Sequence, residues 1–115
     1  MATFATLEKI NLSFPEVTIE PHFEKISFRV NKKIFATYDE KHNRATVKLS
    51  GIDQDNFTST SQNIYPVDNK WGKQGWTNIE LENVAQELLS DILKKAYCEV
   101  APKKLVELIK TNMEQ

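Results

Sequence analysis

The chain is predicted to fold as an α+β domain built on an antiparallel sheet of about five strands, and two patterns predict this. Apolar and polar residues alternate between residues 17 and 49 and again between 76 and 81, which is the period of strands with one buried face. Apolar residues recur at helical spacing near the start of the chain and through its last third. A length of 115 residues provides for one domain, taken as residues 1–115.

The first two predicted helices are short. An N-terminal helix covers residues 2–11, where apolar residues recur at a spacing of three, and Thr3 is its candidate N-cap. A middle helix lies within residues 51–61, with Asp53 or Asp55 as its cap.

The C-terminal third predicts two further helices. The longer one spans residues 83–100 and has a continuous apolar stripe. Asn83 and Gln86 have the spacing of a capping box. The last helix begins at Pro102, because proline suits a first helical position.

The segment between the middle helix and the long helix predicts an edge strand, a loop and a further strand. Residues 64–67 are extended and contain Pro66, which suits an edge. Residues 68–75 are polar and contain two glycines, so a loop is expected. Residues 76–81 alternate and form the last strand.

The turn between the second and third strands leaves two registers open. A two-residue turn at Asn31 and Lys32 pairs Phe28 with Phe35. A three-residue turn instead places six apolar residues on one face: Ile26, Phe28, Val30, Ile34, Ala36 and Tyr38. Because one residue of slip moves every side chain to the opposite face, the two registers exclude each other in a regular hairpin.

Composition excludes several classes of protein and site. Sixteen acidic and fifteen basic residues give a net charge of −1, which argues against a histone-like nucleic-acid binder. A single cysteine excludes an intrachain disulfide and a cysteine-based zinc site. Neither the three glycines nor the two histidines have a phosphate-binding or metal-ligand spacing. We therefore expect no catalytic residue, no enzymatic activity, no metal and no cofactor.

The apolar residues of the chain are dispersed. No apolar run approaches the roughly 20 residues that span a bilayer. We therefore expect no membrane association and a cytoplasmic location.

Positive charge is concentrated in the hairpin region. Residues 25–48 contain seven Lys and Arg against two acidic residues, a net charge of +5, which leaves −6 for the rest of the chain. Lys32, Lys33, Lys41 and Arg44 lie on or beside the two predicted hairpin turns, as phosphate contacts require. The alternative is a solvated strand face whose lysines protect the sheet edges from aggregation.

The loop of residues 70–76 is a second candidate site, since it contains two Trp, two Lys and one Gln. Lys70, Trp71 and Lys73 have the character of contacts to single-stranded nucleic acid. Tryptophan is also enriched in protein-binding hot spots, so the same loop suits a protein partner. Trp76 begins an alternating strand and is expected to be structural.

Several short stretches occur in an order and spacing typical of one protein family. They are FRVNKKIFAT at residues 28–37, YPV at 65–67, WGKQGWT at 71–77, AY at 96–97 and VAPKKL at 100–105. Together they resemble the MmcQ/YjbR family over residues 17–105. Lys32 departs from the pattern, because members often carry glycine in that turn.

The resemblance implies a compact α+β domain similar in outline to the frataxin-like CyaY, and a DNA-binding "double wing" in which hairpins project as wings. The leading hypothesis is weak DNA or RNA binding through the basic hairpin turns. The residues expected to bind nucleic acid are Lys32, Lys33, Lys41, Arg44 and Lys73, with Trp71 auxiliary.

The alternative hypothesis is a non-enzymatic protein-interaction or small-ligand-binding module that uses the loop containing Lys70 and Trp71. Two structural outcomes distinguish the hypotheses. Exposure of Trp71 beside a pocket favours the binding module. Convergence of the basic residues on one groove favours nucleic acid.

Overall fold

The computed structural model describes the backbone of residues 2–113 and the side chains of residues 2–109. Within these residues, six strands form one antiparallel sheet in the order β1-β2-β3-β4-β6-β5. The strands are β1 (Val17–His22), β2 (Lys25–Val30), β3 (Lys33–Asp39), β4 (Arg44–Lys48), β5 (Ile64–Pro66) and β6 (Trp76–Glu80). The predicted antiparallel sheet is confirmed, and β5 is an edge strand as its proline indicated.

The described part of the chain forms five helices, of which α1 and α4 cover one face of this sheet. The helices are α1 (Phe4–Leu12), α2 (Gly51–Thr60), α3 (Lys70–Lys73), α4 (Gln86–Val100) and α5 (Lys103–Met113). α4 packs against β3 and β4, and α1 packs beside it against α4 and β1. The α+β class is therefore confirmed, with an N-terminal helix, a middle helix and two C-terminal helices.

The helix starts test the predicted caps. Thr3 caps α1, because its hydroxyl accepts a hydrogen bond from the backbone N–H of Thr6 at 3.3 Å. The predicted caps of α2, Asp53 and Asp55, are wrong. Ser50 is the cap, and its hydroxyl accepts from the N–H of Asp53 at 3.1 Å.

The predicted capping box of the long helix is also wrong. Asn83 ends a 3-10 turn over Leu81–Asn83, so α4 begins only at Gln86, after the extended residue Ala85. Ala85 makes no side-chain cap hydrogen bond. The last helix begins one residue after Pro102.

The β2–β3 hairpin contains the two-residue turn. Val30 pairs with Lys33, so Asn31 and Lys32 alone form the turn. Both have a positive φ, 52° for Asn31 and 68° for Lys32. Two left-handed residues are the mark of a type I′ turn, whose twist matches that of the strands it joins.

A β-bulge follows directly and reconciles the two registers. Arg29 pairs with Ile34 whereas Phe28 pairs with Ala36, which leaves Phe35 as the extra residue. The helix-covered face therefore contains five of the six residues that the longer turn would have grouped: Ile26, Phe28, Val30, Ala36 and Tyr38.

Phe35 is buried in the helix layer. Its ring lies 5.6 Å from that of Tyr97 on α4, edge-on, and 6.5 Å from that of Phe14. Burial of such aromatic side chains contributes roughly 1.5–3 kcal/mol each. The bulge thus anchors the sheet to α4.

Candidate binding groove on the open face of the sheet

The face of the sheet opposite the helices carries the polar half of each alternating strand. On β4 and β6 the residues of the covered face are fully buried, whereas their neighbours are half-buried. Half-burial on a face that α1 and α4 do not cover indicates that neighbouring groups partly enclose these residues. This surface is called the open face below.

The open face holds a concavity of about 590 Å³. Its wall is made of twelve residues: His22, Lys25, Ile34, Thr37, Asp39, Arg44, Thr46, Val67, Asn69, Trp71, Trp76 and Asn78. Ile34 lies here rather than in the core because the two-residue turn pairs it with Arg29.

The predicted loop of residues 68–75 contains the short helix α3, which forms one wall of the groove. The side chain of Asn69 caps it and accepts a hydrogen bond from the N–H of Trp71 at 2.8 Å. The Trp71 side chain is 49% exposed, and the ammonium of Lys70 lies 5.9 Å from its ring centroid.

Two glycines hold α3 close to the sheet. A Cβ on Gly72 would lie 2.0 Å from the carbonyl oxygen of Val67, and one on Gly75 would lie 1.9 Å from that of Leu49. Gly75 also has a φ of 106°, which disfavours other residues. From α2, the amide of Gln54 donates to the Gly72 carbonyl at 2.9 Å. Trp71 is therefore presented by a fixed element.

Hydrogen-bonded pairs of side chains form the floor of the groove at the end opposite α3. Arg44 donates through Nε to Oε2 of Glu80 at 2.9 Å, and the Tyr65 hydroxyl donates to the same oxygen. This bond to Glu80 is the main reason why the pKa of Tyr65 is raised. Thr46 donates to Asn78 Oδ1 at 2.8 Å. The floor is thus polar, and its charges are paired.

A histidine–carboxylate pair lies beside this floor. His42 Nδ1 is 2.8 Å from Asp39 Oδ2, and the hydrogen bond from His42 is the main cause of the lowered pKa of Asp39. Asp39 lines the groove, whereas His42 is exposed on the β3–β4 turn. His22 also lines the groove.

The predicted phosphate-binding residues lie in two groups. Lys32 and Lys33 are exposed at the β2–β3 turn; Lys41 is exposed on the β3–β4 turn, and Arg44 begins β4. The two turns are at opposite ends of β3, a strand of seven residues, so they are about 20 Å apart. The structure does not bring the two groups together.

Register instead brings Lys32 and Lys33 to the end of the sheet that carries α3. Lys48 pairs with Trp76 at this end, and its ammonium donates to the carbonyl of Gln74. This end of the sheet is called the Lys32 end below, and five lysines lie there. They are Lys32, Lys33, Lys48, Lys70 and Lys73.

Trp76 lines the groove as well and is half-buried. The expectation that it is structural stays a prediction. The alternation of β6 contained the signal for its place in the groove, because Trp76 lies in phase with Asn78 and Glu80 and out of phase with the buried Ile79. Together with Trp71, Ile34 and Val67, Trp76 gives the groove an apolar lining.

Neither a metal-binding cluster nor a membrane-spanning helix occurs in the part of the chain that the structure describes. No group of three or more His, Cys, Asp or Glu side chains there could hold a metal ion. No described helix is long and apolar enough to cross a membrane. The cytoplasmic location stays a prediction.

These features define a small α+β protein whose antiparallel sheet is covered by helices on one face and leaves a groove on the other. The family model for YjbR matches residues 12–99. The chain belongs to the YjbR family, and the resemblance to MmcQ/YjbR is confirmed.

The solved structures similar to this chain include one that matches most of its length. It is the crystal structure of the Deinococcus radiodurans protein DR2400, whose domain is described as DUF419, the same family. The two chains are 22% identical with a TM-score of 0.73, over 84% of this chain and 77% of that one. At this identity the likeness supports the fold alone. No curated protein matches the chain.

Proposed function

We propose that the protein is a non-enzymatic binding module that takes a small ligand in the groove on its open face, with Trp71 in the groove wall. The observation that carries the proposal is the half-exposed Trp71 beside a concavity of about 590 Å³. Ligand pockets typically have volumes of about 300–1,000 Å³ and combine apolar walls with a few convergent polar groups.

The chemistry of the lining supports this proposal over a flat protein interface. Trp71, Trp76, Ile34 and Val67 supply apolar surface, and Asn78 supplies a side-chain amide within reach of it. A concave site with this mixture can enclose a ligand and orient it. The fixed α3 reduces the entropy that binding would otherwise lose.

The position of His42 supports a non-enzymatic role. It contacts a carboxylate, but across three residues of a turn and outside the groove lining. We expect His42→Ala to leave ligand affinity unchanged, because the side chain does not face the groove. A large loss of affinity in this variant would instead favour a chemical role for the pair.

The proposal is tested by screening small organic fragments while recording the indole N–H signals of Trp71 and Trp76 by NMR. We expect a subset of fragments to shift both signals saturably, and Trp71→Ala to abolish that binding. Ile52→Ala is the matched control, because Ile52 is 76% exposed and lies on α2 outside the groove lining. Fragments that bind elsewhere, or none that bind, would overturn the proposal.

Nucleic-acid binding is the second candidate, and the clustering at the Lys32 end favours it. Five lysines lie at this end of the sheet, which also carries Trp71, and none of them forms an ion pair with a described residue. Unpaired cations beside an exposed aromatic ring are what a single strand requires. In this form the candidate no longer includes Lys41 and Arg44 in the same contact.

A salt titration with a single-stranded oligonucleotide tests this candidate. The double variant Lys32→Glu and Lys33→Glu is expected to weaken binding and to lower the slope of log affinity against log salt by about one unit per lost phosphate contact. Lys41→Glu is the control at the opposite end of β3. The candidate fails if no binding is seen at low salt, or if Lys41→Glu has the same effect.

A further inference from the structure

We infer that the groove binds one nucleotide unit, with the base directed inward over the sheet and the phosphate directed outward to the lysines beside Trp71. This inference rests on the proposed function and names the class of its ligand. It follows from the order of three chemically different zones along the groove.

The outer zone is cationic, and its lysines lie just outside the residues that line the groove. Lys48 lies opposite Trp76 in the sheet register, and the Lys70 ammonium lies 5.9 Å from the Trp71 ring centroid. Lys48 donates to the carbonyl of Gln74, but neither lysine forms an ion pair with any residue that the structure describes. Because no carboxylate neutralises them, an anionic group is attracted more strongly to this mouth than to the far end of the groove.

The middle zone is apolar and aromatic. The side chains of Trp71, Trp76, Ile34 and Val67 line it. A planar heterocycle gains both apolar burial and ring stacking against indole. An aliphatic ligand would gain only the burial, so the pair of tryptophans favours a flat ring.

The inner zone is polar, and its opposite charges offset one another. Arg44 is paired with Glu80. Lys25 lines the groove together with Asp39, whose pKa it helps to lower. Asn78 lines the same zone, and among the described residues only its Oδ1 has a partner, Thr46. Such a zone disfavours an anion but offers donors and acceptors to the edge of a base, and asparagine is a common partner of adenine.

The dimensions agree with a single unit. β6 runs from Trp76 to Glu80, which is about 13 Å at strand rise. From mouth to floor, the three zones therefore suit an anion, a flat ring and a hydrogen-bonding edge, in that order. A nucleotide presents these groups in that order, whether it is free or part of a strand.

Tryptophan fluorescence titrations with adenosine monophosphate, adenosine, inorganic phosphate and a short oligodeoxyadenylate test the inference. We expect the monophosphate to bind about tenfold more tightly than adenosine, and phosphate alone not to compete. Lys70→Gln should remove the advantage of the monophosphate but leave adenosine affinity unchanged. Lys41→Gln is the charge-matched control, and its affinities should equal those of the wild type.

The strand distinguishes the source of the nucleotide. A strand that competes with the monophosphate and binds more tightly identifies nucleic acid, and one that binds more weakly identifies the free nucleotide. Equal affinity for adenosine and its monophosphate, or no binding of either, overturns the inference. If neither binds while other fragments occupy the groove, the inference fails and the proposed function stands.

Discussion

Tyr97 joins the long helix to the chain that enters the sheet. Its ring packs against Phe35 and Phe14, and its hydroxyl donates to the carbonyl of Pro15 at 2.7 Å. Burial raises the pKa of Tyr97 to about 12. One side chain therefore combines aromatic packing, a long-range hydrogen bond and a linkage of stability to pH.

We expect the contribution of Tyr97 to stability to be lost in alkali. Because the folded state raises its pKa, the stabilisation is present below the ordinary tyrosine value near 10 and disappears as the pH rises through about 12. Tyr97→Phe should cost about 1 kcal/mol at pH 7, from the lost hydrogen bond. Urea unfolding at pH 7 and pH 11 measures both effects. An equally steep alkaline loss in the phenylalanine variant would contradict the assignment.

Elements differ in how far their local sequence determines them. The alternation of β4 and β6 predicted their buried faces. Val47 and Ile79 face the core, and the polar residues beside them face the open side of the sheet. The start of α4 could not be predicted this way. The pattern around Asn83 suits a cap, but the chain first makes a 3-10 turn that buries Leu81. Tertiary packing outweighs the cap there.

The β2–β3 turn gives a prediction at this scale. Lys32 has a φ of 68°, a conformation that costs a non-glycine residue about 1–2 kcal/mol, and Asn-Gly is the preferred pair for a type I′ turn. Lys32→Gly should therefore stabilise the protein by about 0.5–1 kcal/mol, which would raise Tm by several degrees. Calorimetry measures the shift. Lys33→Gly is the control and should destabilise, because Lys33 lies in a strand.

At the scale of the whole molecule, the groove depends on contacts that no local pattern contains. Its wall combines β3, β4 and β6 with α3, and the strand order places β6 between β4 and β5. The sequence predicted Trp71 and Arg44 as site residues, and both line the groove. It also grouped Lys32 with Lys41. Successive antiparallel hairpins turn at opposite ends of their shared strand, so topology and not residue type separates them.

The sheet should also be unevenly stable. β4 is central and alternate residues on it are fully buried, whereas β1 is an edge strand with mostly exposed residues. We expect backbone amides of β4 to exchange with solvent only on global unfolding, and those of Val17 and Ile19 to exchange by local opening. Native-state hydrogen exchange measures both. Equal protection of the two strands would contradict this.

The position of β6 also has a consequence for the order of folding. β1 to β4 follow one another along the chain, so their hairpins form from local contacts. Pairing of β6 with β4 must wait until residues 49–75, which carry α2, β5 and α3, have closed a long loop. The groove spans the pairing of β4 with β6. A ligand bound there would therefore stabilise the last strand pair to form, and loss of the ligand would weaken that pair first.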